Sequence, residues 1–306
     1  MSSAVAIGVF DGVHVGHQAL LRETVRAAHE LGATPAVLTF HPHPACVVAP
    51  ERAPRLLYSL DERQQLLEDY GIEHILVVPF TVDLSRATPE QFSKDLLQTR
   101  LDARAVIVGE GFRFAHKQAG DVSMLKHLGQ QANFQVYPVP PVSLRGIVVS
   151  SSEIRKRIET GEVATAARLL GRPYSLSGKV VSGHGIGSKQ TVPTLNLATQ
   201  AEVLPELGVY ITRTCEIDSN RHWESITNIG VRPTFGEDDP VSIETFLLSK
   251  FDGATPSHIR VDFLRRVREE RKFASPEELK AQIFRDVKRA QAFHLRTRKW
   301  IRTMLG

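Results

Sequence analysis

Two histidines bracket a glycine at His14-Val15-Gly16-His17, directly after an apolar run ending in Phe10 and a turn written Asp11-Gly12. A strand, a glycine turn and a helix N-terminus in that order gather unpaired backbone N–H groups that bind phosphate. Histidines at such a helix start add side-chain N–H donors for phosphate oxygens. Gly8, Phe10, Asp11, Gly12 and Gly16, with His14 and His17, are therefore candidate nucleotide-phosphate residues. A second anion cradle is written at Ser150-Ser151-Ser152-Glu153-Ile154-Arg155, three hydroxyls at a helix start with an arginine one turn inside. A serine cluster alone is ordinarily only a cap. Paired with HxGH on one sheet, it suits a nucleoside triphosphate that must be bent and held for attack. The dinucleotide GxGxxG and the P-loop GxxxxGK[ST] are both missing from the sequence.

The second half carries a different set. Gly183-His184-Gly185-Ile186-Gly187, followed by Lys189, makes a glycine-rich loop of the kind that is usually a hairpin. Thr194 and Asn196 stand two apart on an extended segment, so they face one side and can offer oxygens to a Mg²⁺ ion. Glu244 falls inside an apolar strand pattern, where a carboxylate is costly unless it has a partner or works as a base. Asn228-Ile229-Gly230-Val231-Arg232-Pro233-Thr234 is a further polar stretch, weak by itself.

The elements that must position these residues can be read in order. Val5–Phe10, Pro35–Phe40, Ile75–Val78, Ala105–Val108 and Phe134–Pro138 read as strands, alternating with helical patterns. Ser59-Leu60-Asp61-Glu62 reads as a capping box, and Thr88-Pro89 as a cap with proline at the first helical position. This alternation predicts an α/β domain with a parallel sheet, whose ligands sit at the carboxyl ends of the strands. There fall His41 and His43 after the second strand, and Glu110, Phe112 and Arg113 after the fourth. A short helix over Glu162–Leu170 ends at Gly171-Arg172-Pro173, which reads as a linker. Beyond it Tyr174–Val181, Gly208–Glu216, Trp223–Ile229, Val241–Ser249 and His258–Leu264 read as strands of a small antiparallel barrel. Ser275-Pro276-Glu277-Glu278 opens a last helix, with Leu279, Ile283, Val287 and Ala290 as its apolar stripe.

Bulk properties set the frame. A chain of 306 residues, 42% hydrophobic, is expected to form about two domains with full cores. Two cysteines, Cys46 and Cys215, leave no disulfide framework and fit a reducing compartment. With neither a signal-peptide pattern nor a long apolar span, the expectation is a cytoplasmic protein without a membrane partner. From His258 onward there are fourteen Lys and Arg against six Asp and Glu. That basic tail reads as the solvated face of the last helix rather than as a nucleic-acid surface, because no stacking motif or zinc pattern accompanies it.

GVFDGVHVGH, the His41-Pro42-His43-Pro44 run, GEGFRF and SSSEIR together resemble the adenylyltransferase module of the bacterial bifunctional riboflavin kinase/FMN adenylyltransferases, the FAD synthetases. GRPYxLxGxVVxG, PTxNL, GVY, NIGxRPTF and ET resemble the riboflavin kinase module of the same family, in the same order. The resemblance runs from about Val5 to Phe293 and implies a nucleotidyltransferase domain over 1–171 and a kinase domain over 172–306. By it, the first module transfers AMP from ATP to FMN, giving FAD and pyrophosphate. His14 and His17 would hold the ATP phosphates, with Ser150, Ser151, Ser152 and Arg155 on the other side. His43, Phe112 and Arg113 would lie toward the flavin. The second module would phosphorylate riboflavin, with Gly183, Gly187 and Lys189 at the nucleotide, Thr194 and Asn196 on Mg²⁺, and Glu244 taking the proton of the ribityl 5′-hydroxyl. ATP, riboflavin and FMN are the implied small-molecule substrates, Mg²⁺ the cofactor and FAD the product.

The sequence departs from the family's pattern at named places. The family usually has Asp or Asn where Gly111 stands, Gly where Ala115 stands, and often Glu where His41 stands. Its G-R-x-L-G-F-P-T loop is here Gly187-Ser188-Lys189-Gln190-Thr191-Val192-Pro193-Thr194. The loop departures give an alternative reading, a monofunctional FMN adenylyltransferase whose barrel binds flavin without phosphorylating it.

Overall fold

The computed structural model describes residues 2–181, 194–217, 219, 221–231, 241–249 and 253–305, with side chains up to residue 297. The chain divides into two compact units, Met1–Ser151 and Ser152–Gly306.

The first unit runs β1 Ser3–Ile7, α1 Val15–Leu31, β2 Thr34–His41, α2 Pro44–Val48, α3 Leu60–Asp69, β3 His74–Pro79, α4 Val82–Ser85, α5 Pro89–Phe92, β4 Ala103–Gly109, α6 Val122–Ala132 and β5 Gln135–Val139. A π-helical turn, Ser93–Arg100, extends α5, and a small ribbon of β6 Ser143–Leu144 and β7 Ile147–Val148 closes the unit. The sheet has the order β3-β2-β1-β4-β5 with every pair parallel. β1 is therefore central and fully buried, and its carboxyl end opens at the middle of the sheet edge. Local capping signals are present in the structure. Ser59 and Glu62 form a reciprocal capping box, as do Thr88 and Gln91, and Gly32 ends α1 at φ 59°. β1 stops at Ile7 rather than Phe10, because Phe10, Gly12 and Val13 take φ of 55°, 84° and 37° and turn the chain out of the sheet.

The second unit runs α7 Ser151–Glu159, α8 Val163–Leu170, β8 Tyr174–Val181, β9 Thr194–Thr199, β10 Gly208–Glu216, β11 His222–Val231, β12 Val241–Leu247, β13 His258–Glu269 and α9 Pro276–Leu305. The described strands close into an antiparallel barrel in the order β10-β11-β12-β9-β8-β13. The two compact units divide at Ser151/Ser152, and α8, just before Gly171-Arg172-Pro173, packs on β13 and β8. Tyr174, Leu195, Tyr210, Ile243 and Phe263 are buried in this unit. So are Thr212, Thr214, Ser225, Thr227 and Thr245, whose hydroxyls bond one another at 2.8–2.9 Å. β-branched threonines suit strands, and the mutual hydrogen bonds offset their burial.

The last helix turns inward the C-terminal half of the expected stripe, Val287 and Ala290, but not its start. Leu279 and Ile283 are exposed, while Gln282, Asp286, Ala290 and His294 are buried. The cause is charge supplied by the end of the barrel. Arg268 Nε donates to Asp286 at 2.8 Å, Arg271 donates to Gln282, and Gln282 donates to Asp286. Val287, Ala290 and Phe293 join Val209, Ile211 and Ile226 in the apolar part of the contact. Glu278 accepts from the N–H of Ala274 while its own N–H donates to Ser275, so the expected capping box is half formed.

Ala115 stands at φ 65°, ψ −173°, a region that glycine occupies without strain. The strain there is of order 1–3 kcal/mol, and the extra freedom of an unfolded glycine costs roughly 0.5–1 kcal/mol. Ala115→Gly is therefore expected to stabilise the first unit by about 1 kcal/mol, raising its thermal unfolding midpoint by about 2–4 °C. A scanning calorimetry trace that moves the other way contradicts this account of the turn.

Candidate functional site

The turn between β1 and α1 is braced from several directions. Arg63 Nη1 donates to Val9 O at 2.7 Å and Thr39 Oγ1 donates to the same oxygen at 3.2 Å. Leu57 N donates to Asp11 Oδ1 at 2.9 Å, Ser151 Oγ donates to Asp11 O at 2.9 Å, and Gln18 Nε2 donates to Val13 O at 2.9 Å. Arg63 is buried; burial lowers its pKa, and the nearby Asp11 carboxylate opposes that shift. It remains a guanidinium, a charge held beneath the turn.

At the top of this braced turn His14 is the N-cap of α1. Its Nδ1 accepts from His17 N at 3.2 Å, so in the neutral ring the proton resides on Nε2. The two imidazoles stack with centroids 3.6 Å apart and planes at 13°, and the Phe10 ring leans on His17 at 5.1 Å. Gly16 makes room for this stack, because a Cβ there would lie 3.2 Å from His14 Cε1 and Nδ1. A Cβ on Gly8 would likewise press the Phe10 ring at 3.2 Å. The structure thus brings together His14, His17, Gly8, Phe10, Asp11, Gly12, Gly16 and Ser151 at the carboxyl end of the central strand.

The other candidates of this half stand on other elements. Ser150 immediately precedes α7, and Ser152 Oγ accepts from Arg155 Nη1 at 3.3 Å further along that helix. His43 caps α2 by accepting from Ala45 N at 3.1 Å. Phe112 stacks on Phe114 at 5.5 Å, and Arg113 pairs with Asp121 at 3.5 Å. Sequence reasoning missed Arg63, Thr39 and Gln18, whose role here depends on partners distant in the chain or hidden in the turn.

In the barrel unit the register does the assembling. Asn196 of β9 pairs directly with Glu244 of β12, and Thr194 pairs with Phe246 two positions along. On the other side Glu244 pairs with Asn228 of β11. Directly opposed antiparallel residues share a face, with Cβ atoms about 4.5–5.5 Å apart. Asn228, Glu244 and Asn196 therefore form one row across three strands, with Thr194 on the same face. Glu244 is half-buried rather than enclosed, because Ile243, Thr245 and Leu247 take the buried positions of β12 while Glu244 and Phe246 alternate to the other side. Gly183, Gly187 and Lys189, like Arg232, Pro233 and Thr234, lie outside the described residues.

A parallel α/β unit with a histidine-lined turn at the end of its central strand, next in sequence to a barrel with an Asn-Glu-Asn row, agrees with the family comparisons. The FAD synthetase family model matches residues 1–153 and the riboflavin kinase model matches residues 170–294. The bifunctional riboflavin kinase/FMN adenylyltransferase of Pseudomonas fluorescens is 34% identical over 94% of this chain and 91% of that protein. The chain belongs to the bifunctional riboflavin kinase/FMN adenylyltransferase family. The Escherichia coli K12 member is 32% identical over 94% of this chain and 92% of its own length. A solved structure of a macrolide-efflux protein from Streptococcus pneumoniae superposes with a TM-score of 0.85 at 26% identity, covering 95% of this chain and 94% of that one. Both modules of a riboflavin kinase/FMN adenylyltransferase are present in one chain, which favours two activities over the monofunctional alternative. Among the described residues, no helix is long and apolar enough to cross a membrane.

Proposed function

We propose that the described residues divide the two reactions between the units: adenylyl transfer at the His14–His17 turn, riboflavin phosphorylation at the Asn228–Glu244–Asn196 row. In the first, a phosphate oxygen of FMN attacks the α-phosphorus of ATP. The bond to the bridging oxygen of the β-phosphate breaks and pyrophosphate leaves. The FMN phosphate is already anionic, so the protein must align the reactants and neutralise charge rather than generate a nucleophile. His14 suits this role because, with Nδ1 accepting from the backbone, the N–H of the neutral ring is on Nε2, and an imidazole N–H is a phosphate donor. His17 lies parallel to it, and the backbone N–H groups at the start of α1 add to the donor set. Asp11 carries its carboxylate to Leu57, so its contribution is to fix the turn. Ser150 and Ser151, with Ser152 and Arg155 on α7, take the triphosphate role that the family resemblance gives them.

In the second reaction the riboflavin 5′-hydroxyl oxygen attacks the γ-phosphorus of ATP, ADP leaves, and Glu244 receives the hydroxyl proton. Mg²⁺ fits this row. Thr194 and Asn196 present oxygen donors on one face beside a carboxylate, the hard-ligand chemistry that Mg²⁺ takes when phosphates and water complete its shell. When bound, the ion neutralises phosphate charge. Thr194 and Asn196 would hold it, and Glu244 deals with the proton.

The cross-strand pairing of Asn196 with Glu244 carries the kinase assignment, because it joins two sequence motifs on one face. The test supplies purified protein with ATP and Mg²⁺, and either riboflavin or FMN, and resolves the flavins by chromatography. Riboflavin is expected to yield FMN and then FAD, and FMN to yield FAD. FAD from FMN without FMN from riboflavin would return the monofunctional alternative.

A further inference from the structure

Phe10 stands at φ 55°, a region that bulky residues rarely adopt. That angle depends on the peptide joining Phe10 to Val9, and the oxygen of this peptide is gripped twice. Arg63 Nη1 donates to Val9 O at 2.7 Å and Thr39 Oγ1 donates to it at 3.2 Å. The grip fixes the peptide plane, and with it the side to which Phe10 sends its ring. That ring leans on His17 with centroids 5.1 Å apart, and His17 stacks on His14 at 3.6 Å. Once released, the peptide can turn over, Phe10 returns to negative φ, and its ring is drawn away from His17.

The charged half of the grip comes from α3, an element with no other part in adenylyl transfer. The Ser59–Glu62 capping box fixes the start of α3, and Arg63 N donates to Ser59 O at 3.1 Å. Leu57 N, in the segment leading into the helix, ties it to the same turn through Asp11 Oδ1. Arg63 is only 2% exposed. A buried guanidinium is costly unless its charge is met. Asp11 is its nearby counter-charge, and the short charge-assisted bond to Val9 O sets that charge against the backbone strain at Phe10.

We infer that Arg63 is a positioning residue for adenylyl transfer: through the Val9–Phe10 peptide it keeps the Phe10 ring against His17 and so aims the stacked His17–His14 pair. This role rests on reading that pair as the phosphate site.

The experiment measures kcat and KM for FAD formation from FMN and ATP in the full chain and its variants, with riboflavin phosphorylation in the same preparations reporting on the other unit. Arg63→Met keeps an unbranched side chain and removes the donor. It is expected to lower adenylyl-transfer kcat about 10²-fold, the scale of a misplaced catalytic group. KM for ATP should stay within about threefold, and riboflavin phosphorylation should be unchanged. Arg63→Lys retains a donor for a site that uses one N–H, and should recover most of the lost rate. A nuclear Overhauser contact between the Phe10 and His17 rings reports the intervening step. It is expected in the parent and in Arg63→Lys, and lost in Arg63→Met. Thr39→Val removes the neutral half of the grip without disturbing a buried charge, and should slow the reaction about threefold with an unfolding midpoint near that of the parent. A folded Arg63→Met at the parent rate, a change in KM alone, or a slow variant whose ring contact persists overturns the inference. Should Arg63→Met not fold, Thr39→Val at the parent rate overturns it instead. A parent rate in His14→Asn is the separate outcome that overturns the phosphate reading itself.

Discussion

Glu244→Gln is expected to lower riboflavin phosphorylation by about 10²–10⁴-fold, the usual contribution of a general base, while FAD formation from FMN continues at the parent rate. The substitution keeps size and polarity but removes the group that can take the hydroxyl proton. Riboflavin's 5′-hydroxyl, unlike the phosphate of FMN, is a weak nucleophile until that proton has somewhere to go. The row supports this reading because Glu244 stands between Asn196 and Asn228, beside the segment that carries Thr194. Its half-exposed position makes the change a small one for stability. The loss should therefore fall on kcat, with KM for ATP nearly constant. Equal loss of both activities would contradict two separate sites.

What the sequence made legible was mostly local. Capping by Ser59 and Thr88 works over three residues, and the strand–turn–helix around His14 and His17 lies within one short stretch, so residue types suffice to find them. The two-residue spacing of Thr194 and Asn196 also placed them on one face, although no strand was predicted there. What escaped depends on partners far along the chain. Arg63 sits in a polar helical pattern and looks solvated, yet it is buried because Val9 O, 54 positions away, accepts its guanidinium. The first turns of α9 depart from the expected stripe for a similar reason. Periodicity sees Leu279 and Ile283, but it cannot see that Arg268 and Arg271 wait at the barrel end for Asp286 and Gln282. The row of Asn228, Glu244 and Asn196 is invisible until strand register is known.

The corresponding test of the first unit must separate two jobs that His14 performs. Its Nδ1 caps α1, and losing an N-cap costs about 1 kcal/mol. Its Nε2–H is the donor assigned to phosphate. Alanine removes both, so a slow Ala variant would not say which mattered. Asparagine is among the best N-cap residues and can accept from His17 N. It is too short to place a donor where imidazole Nε2 stands. His14→Asn is therefore expected to keep the unfolding midpoint near that of the parent while lowering adenylyl transfer by about 10²–10³-fold, the scale of losing one preorganised donor to developing charge. Riboflavin phosphorylation should be unchanged in the same sample. The loss should appear in kcat more than in KM, because the developing negative charge is greatest in the transition state. Gly16 gives the independent check. A methyl group at residue 16 presses on the His14 ring at 3.2 Å and must shift it. Gly16→Ala should then slow adenylyl transfer with both histidines present. Parent rates in both variants would mean that the stacked pair serves the helix start and that the phosphate donors lie elsewhere on the turn.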